Sequence, residues 1–211
     1  MSLLISMLLK KLIRYIPTDK KNIIISGIST DSKKIKKNYI FFAIRGKKFN
    51  GEKFIKEAVN KGASVVVCSK SCKIRDISIL VIRTNKIRHL LSDVASKFYK
   101  SKPKNIIAVT GTNGKTSVSD LFYQILRIIN IRVASIGTLG IKYNDKIIKT
   151  SLTSPDTITL HKNLNYLKNK KKYIFFASRG KKFNGEKVIK EAVNKGATVV
   201  VCSKNCKIRN N

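Results

Sequence analysis

The chain has 211 residues, enough for one or two domains with a real core, and 43% of them are hydrophobic, which excludes a disordered chain. Its formal net charge of +34 comes from 45 Lys+Arg against 11 Asp+Glu. The excess is 36 Lys to 9 Arg, spread along the chain among 30 Ile and 17 Asn, with no Trp. Such a spread reads as solvated surface lysine, not as an arginine-rich nucleic-acid interface, so no specific nucleic-acid partner is expected.

The first stretch, Met1 to Ile16, places Lys10 and Lys11 after its apolar run and lacks a small-residue cleavage site. It is therefore expected to be an amphipathic helix and not a signal peptide. No apolar run reaches membrane-spanning length, so a cytoplasmic protein without membrane attachment is expected.

Residues 23–28 are apolar and β-branched and predict a strand. Further strands are expected at Tyr39–Ile44, Ser64–Cys68 and Ile79–Ile82, with helices over Glu52–Asn60 and Leu90–Tyr99. Strands alternating with helices predict an α/β domain. Pro103 marks a boundary. Beyond it come a strand at Asn105–Thr110, a helix from Lys115 to about Asn130, a strand at Arg132–Ile136, a hairpin over Ile141–Lys149 turning at Asn144-Asp145, and a helix over Thr157–Leu167.

An internal repeat follows. Residues 171–210 repeat residues 37–76 at an offset of 134, with 34 identities in 40 positions. Two copies flanking an unrelated segment are not a solenoid, whose units stack in tandem. The second copy is expected either to compete with residues 37–76 for one slot in the N-terminal sheet, or to form a half-covered βαβ unit with an exposed edge. The cysteines Cys68, Cys72, Cys202 and Cys206 form two CxxxC pairs, the second a copy of the first, and no His neighbours either pair. They read as reduced thiols near strand ends rather than as a zinc site.

The strongest chemical signal is the run from Ile106 to Phe122. A strand enters Gly111-Thr112-Asn113-Gly114-Lys115-Thr116, and a helix leaves it. Glycines let the backbone curl so that its N–H groups converge on phosphate oxygens, and the helix N-terminus faces the same anion. Lys115 is the candidate for the terminal phosphates, and the Thr116 hydroxyl is the candidate Mg²⁺ ligand. The position five before Gly114 is Val109, so this is a shorter GxxGKT variant of the Walker loop.

The run Thr-Gly-Thr-Asn-Gly-Lys-Thr resembles the ATP loop of the Mur ligases, ATP-dependent peptide ligases of peptidoglycan synthesis. Thr30-Asp31-Ser32-Lys33, with Tyr39-Ile40-Phe41-Phe42-Ala43 and Gly46, is similar to the signature of that family's uridine-binding domain. Ile136-Gly137-Thr138-Leu139-Gly140 and Thr153-Ser154-Pro155-Asp156 match later motifs, the last resembling a loop that contacts the muramoyl substrate. The motifs point to the branch that adds the third residue, diaminopimelate or lysine, to the UDP-N-acetylmuramoyl peptide. The resemblance covers roughly residues 20–168. It implies a monomeric ligase using ATP and Mg²⁺, with Gly111–Thr116 holding ATP, Thr116 meeting the metal, and Ser32, Thr153 and Ser154 contacting the UDP-N-acetylmuramoyl peptide. It also implies an N-terminal uridine-binding α/β domain over 1–101, an incomplete P-loop-type ATPase domain over 104–168, and the repeated βαβ segment over 171–211.

The sequence departs from the family pattern at Lys33, Asn50 and Ser154, where Arg, Asp and Thr are usual. The family's Mg²⁺-binding Glu, its His, its carbamylated Lys and its third domain are not recognisable after residue 168. No catalytic residue can be named on this basis, and the chain is expected to be truncated and inactive alone. Two other classes remain open at this level: a nucleotide- or UDP-sugar-binding remnant without catalysis, and a basic nucleic-acid-binding protein.

Overall fold

The computed structural model describes residues 5–46, 49–75, 77–111, 113–144, 146–149, 156–169 and 174–178, with backbone only at 169 and 174–178. The chain divides into two units between Lys100 and Ser101.

The first unit begins with β1 (Met7–Leu8), which pairs antiparallel with β2 (Ile24–Ile25), and a single helical turn, α1 (Leu9–Leu12). Among the described residues 5–16 the expected amphipathic helix is therefore reduced to this one turn. Leu9 and Leu12 are fully buried, and Lys97 Nζ donates to the Leu12 carbonyl at 2.9 Å, so the turn is held from outside itself. The single strand expected over 23–28 divides into β2 and β3 (Gly27–Ser29) at Ser26. There the backbone N–H turns to the Asn38 carbonyl and the hydroxyl to the Lys37 carbonyl.

Four parallel strands follow in sheet order as in sequence: β3, β4 (Tyr39–Phe42), β5 (Ala63–Cys68) and β6 (Leu80–Arg83). Ile40, Phe41 and Phe42 are all buried, as a central parallel strand covered on both faces requires. The expected helix over 52–60 is a 3₁₀ turn at Gly51–Phe54 running into α2 (Ile55–Asn60). Asn50 Oδ1 caps its start by accepting from the Glu52 N–H at 3.1 Å. Gly62 ends α2 at φ +96°, a left-handed conformation, with the Lys37 backbone too close for a Cβ. The last helix, α3 (Ile87–Phe98), buries Ile87, Leu91, Val94, Ala95 and Phe98 at helical spacing.

The second unit holds β7 (Asn105–Val109), α4 (Lys115–Ile128), β8 (Val133–Gly137), the hairpin β9 (Gly140–Tyr143) and β10 (Lys146–Ile148), α5 (Thr157–Asn169) and β11 (Ile174–Ser178). Their sheet order is β10-β9-β8-β11-β7. Alternate residues of β7 and β8 face opposite helices. Ile107, Val109 and Val133 cluster with Tyr123 of α4, while Ala134 and Ile136 cluster with Leu164 and Leu167 of α5. The hairpin turns at Asn144, φ +42°.

β11 corrects the expectation for the second copy. Its residues pair in parallel with β8 on one side (Ile174↔Val133 to Ala177↔Ile136) and β7 on the other (Ile174↔Asn105 to Ser178↔Val109). It neither competes for the N-terminal sheet nor presents an open edge. The reason is that ladder hydrogen bonds join backbone to backbone. An apolar, β-prone pentapeptide therefore suits any central parallel slot, whichever sheet it came from. The rest of the second copy lies outside the described residues.

Candidate phosphate-binding site

β7 ends at Val109 and α4 starts at Lys115, and the segment between them turns through two glycines. Gly111 has φ +150° and Gly114 has φ +76°. No atom lies within 4 Å of where a Gly114 Cβ would stand, so glycine is required there by backbone conformation and not by crowding. Gly114 is the residue before the helix, and its carbonyl accepts the Val118 N–H at 2.9 Å. The first N–H groups of α4 thus open toward the loop, where the helix dipole favours an anion. Lys115 Nζ donates to the Gly111 carbonyl, which holds the ammonium over the loop.

The Thr116 hydroxyl donates to Thr138 Oγ1 at 3.4 Å, joining the start of α4 to the turn after β8. One turn further along, the buried hydroxyls of Ser119 and Ser135 lie 3.0 Å apart, and Asp120 of α4 is paired with Lys142 of β9. The hydrogen bond from Lys142 holds the Asp120 carboxyl below the usual carboxylate range; burial opposes it, and the Gln124 amide adds to it. These two links fix the helix that carries the loop. Sequence spacing did not single out either one, because their partners lie 16 and 22 residues apart and meet only across the sheet.

Among the other anticipated residues, Ser32 is buried, and its hydroxyl donates to Glu57 Oε2 at 2.9 Å. Glu57 in turn accepts from Lys61 at 2.6 Å. The Lys61 and Ser32 hydrogen bonds hold Glu57 below its ordinary value against the opposing effect of burial. Asp31 accepts the Lys33 N–H at 2.9 Å, so the Thr30–Lys33 motif forms a capped turn. Thr112, Thr153 and Ser154 lie outside the described residues. Asp156, from the same motif, caps α5 by accepting from Ile158 N, Thr159 N and the Thr159 hydroxyl. Burial and a hydrogen bond with Cys72 push the Cys68 thiol up to about 12. It therefore stays protonated, which disfavours metal ligation. Cys202 and Cys206 lie outside the described residues.

Two α/β units, the second with a strand, a glycine loop and a helix in the order that holds phosphate, define the class of protein. Residues 24–99 match the family model described as "Mur ligase family, catalytic domain", and residues 109–202 match "Mur ligase middle domain". The chain belongs to the Mur ligase family. The second match extends past residue 168, where the recognisable motifs stop, and takes in most of the second copy.

Similar curated proteins include the UDP-N-acetylmuramoyl-L-alanyl-D-glutamate–2,6-diaminopimelate ligase of Brucella melitensis. It is 34% identical over 148 residues, covering 70% of this chain and 30% of that protein. The ligase of the same name from Aquifex aeolicus is 38% identical over 142 residues, 66% of this chain and 29% of that protein. The chain thus spans about 30% of the length of the curated relatives it matches. A solved structure of a ligase with this name superposes with TM-score 0.70 at 20% identity, covering 98% of this chain and 42% of the other. The MurF ligase of Thermotoga maritima in complex with ADP superposes with TM-score 0.51 at 21% identity, covering 75% of this chain and 33% of the other. These likenesses agree on the fold. Among the described residues no helix is long and apolar enough to cross a membrane.

Proposed function

We propose that the chain is the nucleotide- and UDP-binding part of a ligase of the MurE type. Such a ligase adds diaminopimelate, or lysine in its place, to UDP-N-acetylmuramoyl-L-alanyl-D-glutamate. The observation that carries this is the turn from β7 to α4. A left-handed Gly114, a helix N-terminus and the Lys115 ammonium converge where the phosphates of ATP would lie. The names of the curated relatives support the substrate.

In this reading Gly111, Thr112, Asn113 and Gly114 offer backbone N–H groups, Lys115 neutralises the terminal phosphates, and the Thr116 hydroxyl stands at the same helix start. Residues 1–101 hold the UDP end, with Ser32 at the capped turn, and Thr153 and Ser154 face the muramoyl peptide. Residues 104–168 and the strand Ile174–Ser178 build the nucleotide-binding sheet together. The whole protein's reaction transfers a phosphoryl group from ATP to the terminal carboxylate. The incoming amine then displaces phosphate from the acyl phosphate. This chain contributes positioning and charge.

Binding of a fluorescent ATP analogue tests the reading. Replacing Lys115 with Ala removes a charge-assisted contact and should weaken binding about tenfold or more, roughly 1.4 kcal/mol. Unchanged affinity in a folded Lys115→Ala variant would refute the assignment of the loop.

A further inference from the structure

We infer that this loop takes its nucleotide as the free polyphosphate anion rather than as a magnesium complex. The inference rests on the nucleotide reading above and concerns the state in which that ligand binds. Mg²⁺ demands octahedral oxygen ligation, and proteins hold it beside phosphates through one or two carboxylates. The described donors do not fit that need. Thr116 Oγ1, a described hydroxyl at the start of α4, donates to Thr138 and offers one neutral oxygen and no negative charge. Of the carboxylates described in the second unit, Asp120 is paired with Lys142 and Gln124, and Asp156 is committed to the first turn of α5. No group of three or more potential metal ligands occurs among the described residues.

The topology sharpens the mismatch. The strand beside the phosphate loop is β11, whose last residue is in register with Val109, two positions before Gly111. Its sequence, Ile-Phe-Phe-Ala-Ser, contains no acid. Residues Ile174–Ser178 of the duplicated segment therefore supply the backbone ladder of that strand and contribute no carboxylate to it. The field of the unit acts in the same direction. Residues 101–211 contain 22 Lys and Arg against 5 Asp and Glu. A cationic surface attracts the fully charged triphosphate more strongly than its magnesium complex, which carries two fewer negative charges.

The test measures ATP affinity of the full 211-residue chain at constant ionic strength, in EDTA and in millimolar MgCl₂, by competition with a fluorescent analogue. Lys115→Ala and Lys115→Met serve as controls. The expected result is Lys115-dependent binding in EDTA that is as tight as in Mg²⁺, or tighter. Lys115-dependent binding that is about tenfold or more tighter in Mg²⁺ overturns the inference and leaves the nucleotide reading standing. Binding that ignores Lys115 in both conditions, or no binding in either, overturns the two together.

Discussion

Removing β11 should unfold the second unit and spare the first. β11 makes five register pairs with β7 and four with β8, and no other described strand joins β7 to the rest of its sheet. At roughly 1 kcal/mol net per ladder hydrogen bond, the loss is about 9 kcal/mol. That is comparable to the whole 5–15 kcal/mol, roughly, that holds a domain folded. A chain ending at Lys170 should therefore lose amide protection in β7 and β8 while β4 and β5 keep theirs, read by hydrogen exchange with mass spectrometry.

Proline makes the sharper test, because Phe42 and Phe176 are the same residue of the two copies. Each lies in a central strand, where proline deletes a ladder donor and strands its acceptor, for a cost of about 3 kcal/mol or more. Phe176→Pro should destabilise the second unit alone, and Phe42→Pro the first alone. Full protection of β7 and β8 in the truncated chain, or identical effects of the two prolines, would refute the placement of the second copy in this sheet.

Three further outcomes follow from the second unit. Gly140 has φ +91°, and a Cβ there would run into the Ile148 carbonyl. Gly140→Ala should therefore destabilise the unit by about 2 kcal/mol or more, visible as a lower denaturant midpoint. His161 has its pKa lowered from 6.5 by burial and by the nearby Lys102 charge, and its Nδ1 is buried without a hydrogen-bond partner. The unfolded chain binds that proton more readily, so stability should hold above pH 6.5 and decline as pH falls from there toward the lower folded value. His161→Leu should flatten this slope in urea titrations, and an unchanged slope would count against the burial account. Asp120, lowered chiefly by Lys142, contributes stability that persists above the ordinary carboxylate value near 3.8 and is lost in stronger acid. Asp120→Asn should cost about 1 kcal/mol at neutral pH and remove that acid limb.

Much of the architecture is local and so was legible in the residues. Apolar runs marked β4, β5, β7 and β8, helical spacing marked α3, α4 and α5, and Asn144 marked the hairpin. The phosphate loop was legible for the same reason: a left-handed glycine, a lysine and a helix start are consecutive in the chain. The N-terminal segment was misread because its helical spacing is real but short. Pairing of Met7–Leu8 with Ile24–Ile25, a contact made across 16 residues and more, claims the residues the helix would need.

What the sequence alone determined is the family, the two α/β units and the loop, because these follow from periodicity and from motifs a few residues long. Only the tertiary structure decided that Ser32 answers to Glu57, that Asp120 answers to Lys142, and that the second Ile-Phe-Phe-Ala belongs to a different sheet from the first. Identical tetrapeptides carry identical strand propensity. Which sheet each one joins depends on the slot left open by strands far away in the chain, and no local signal encodes that slot.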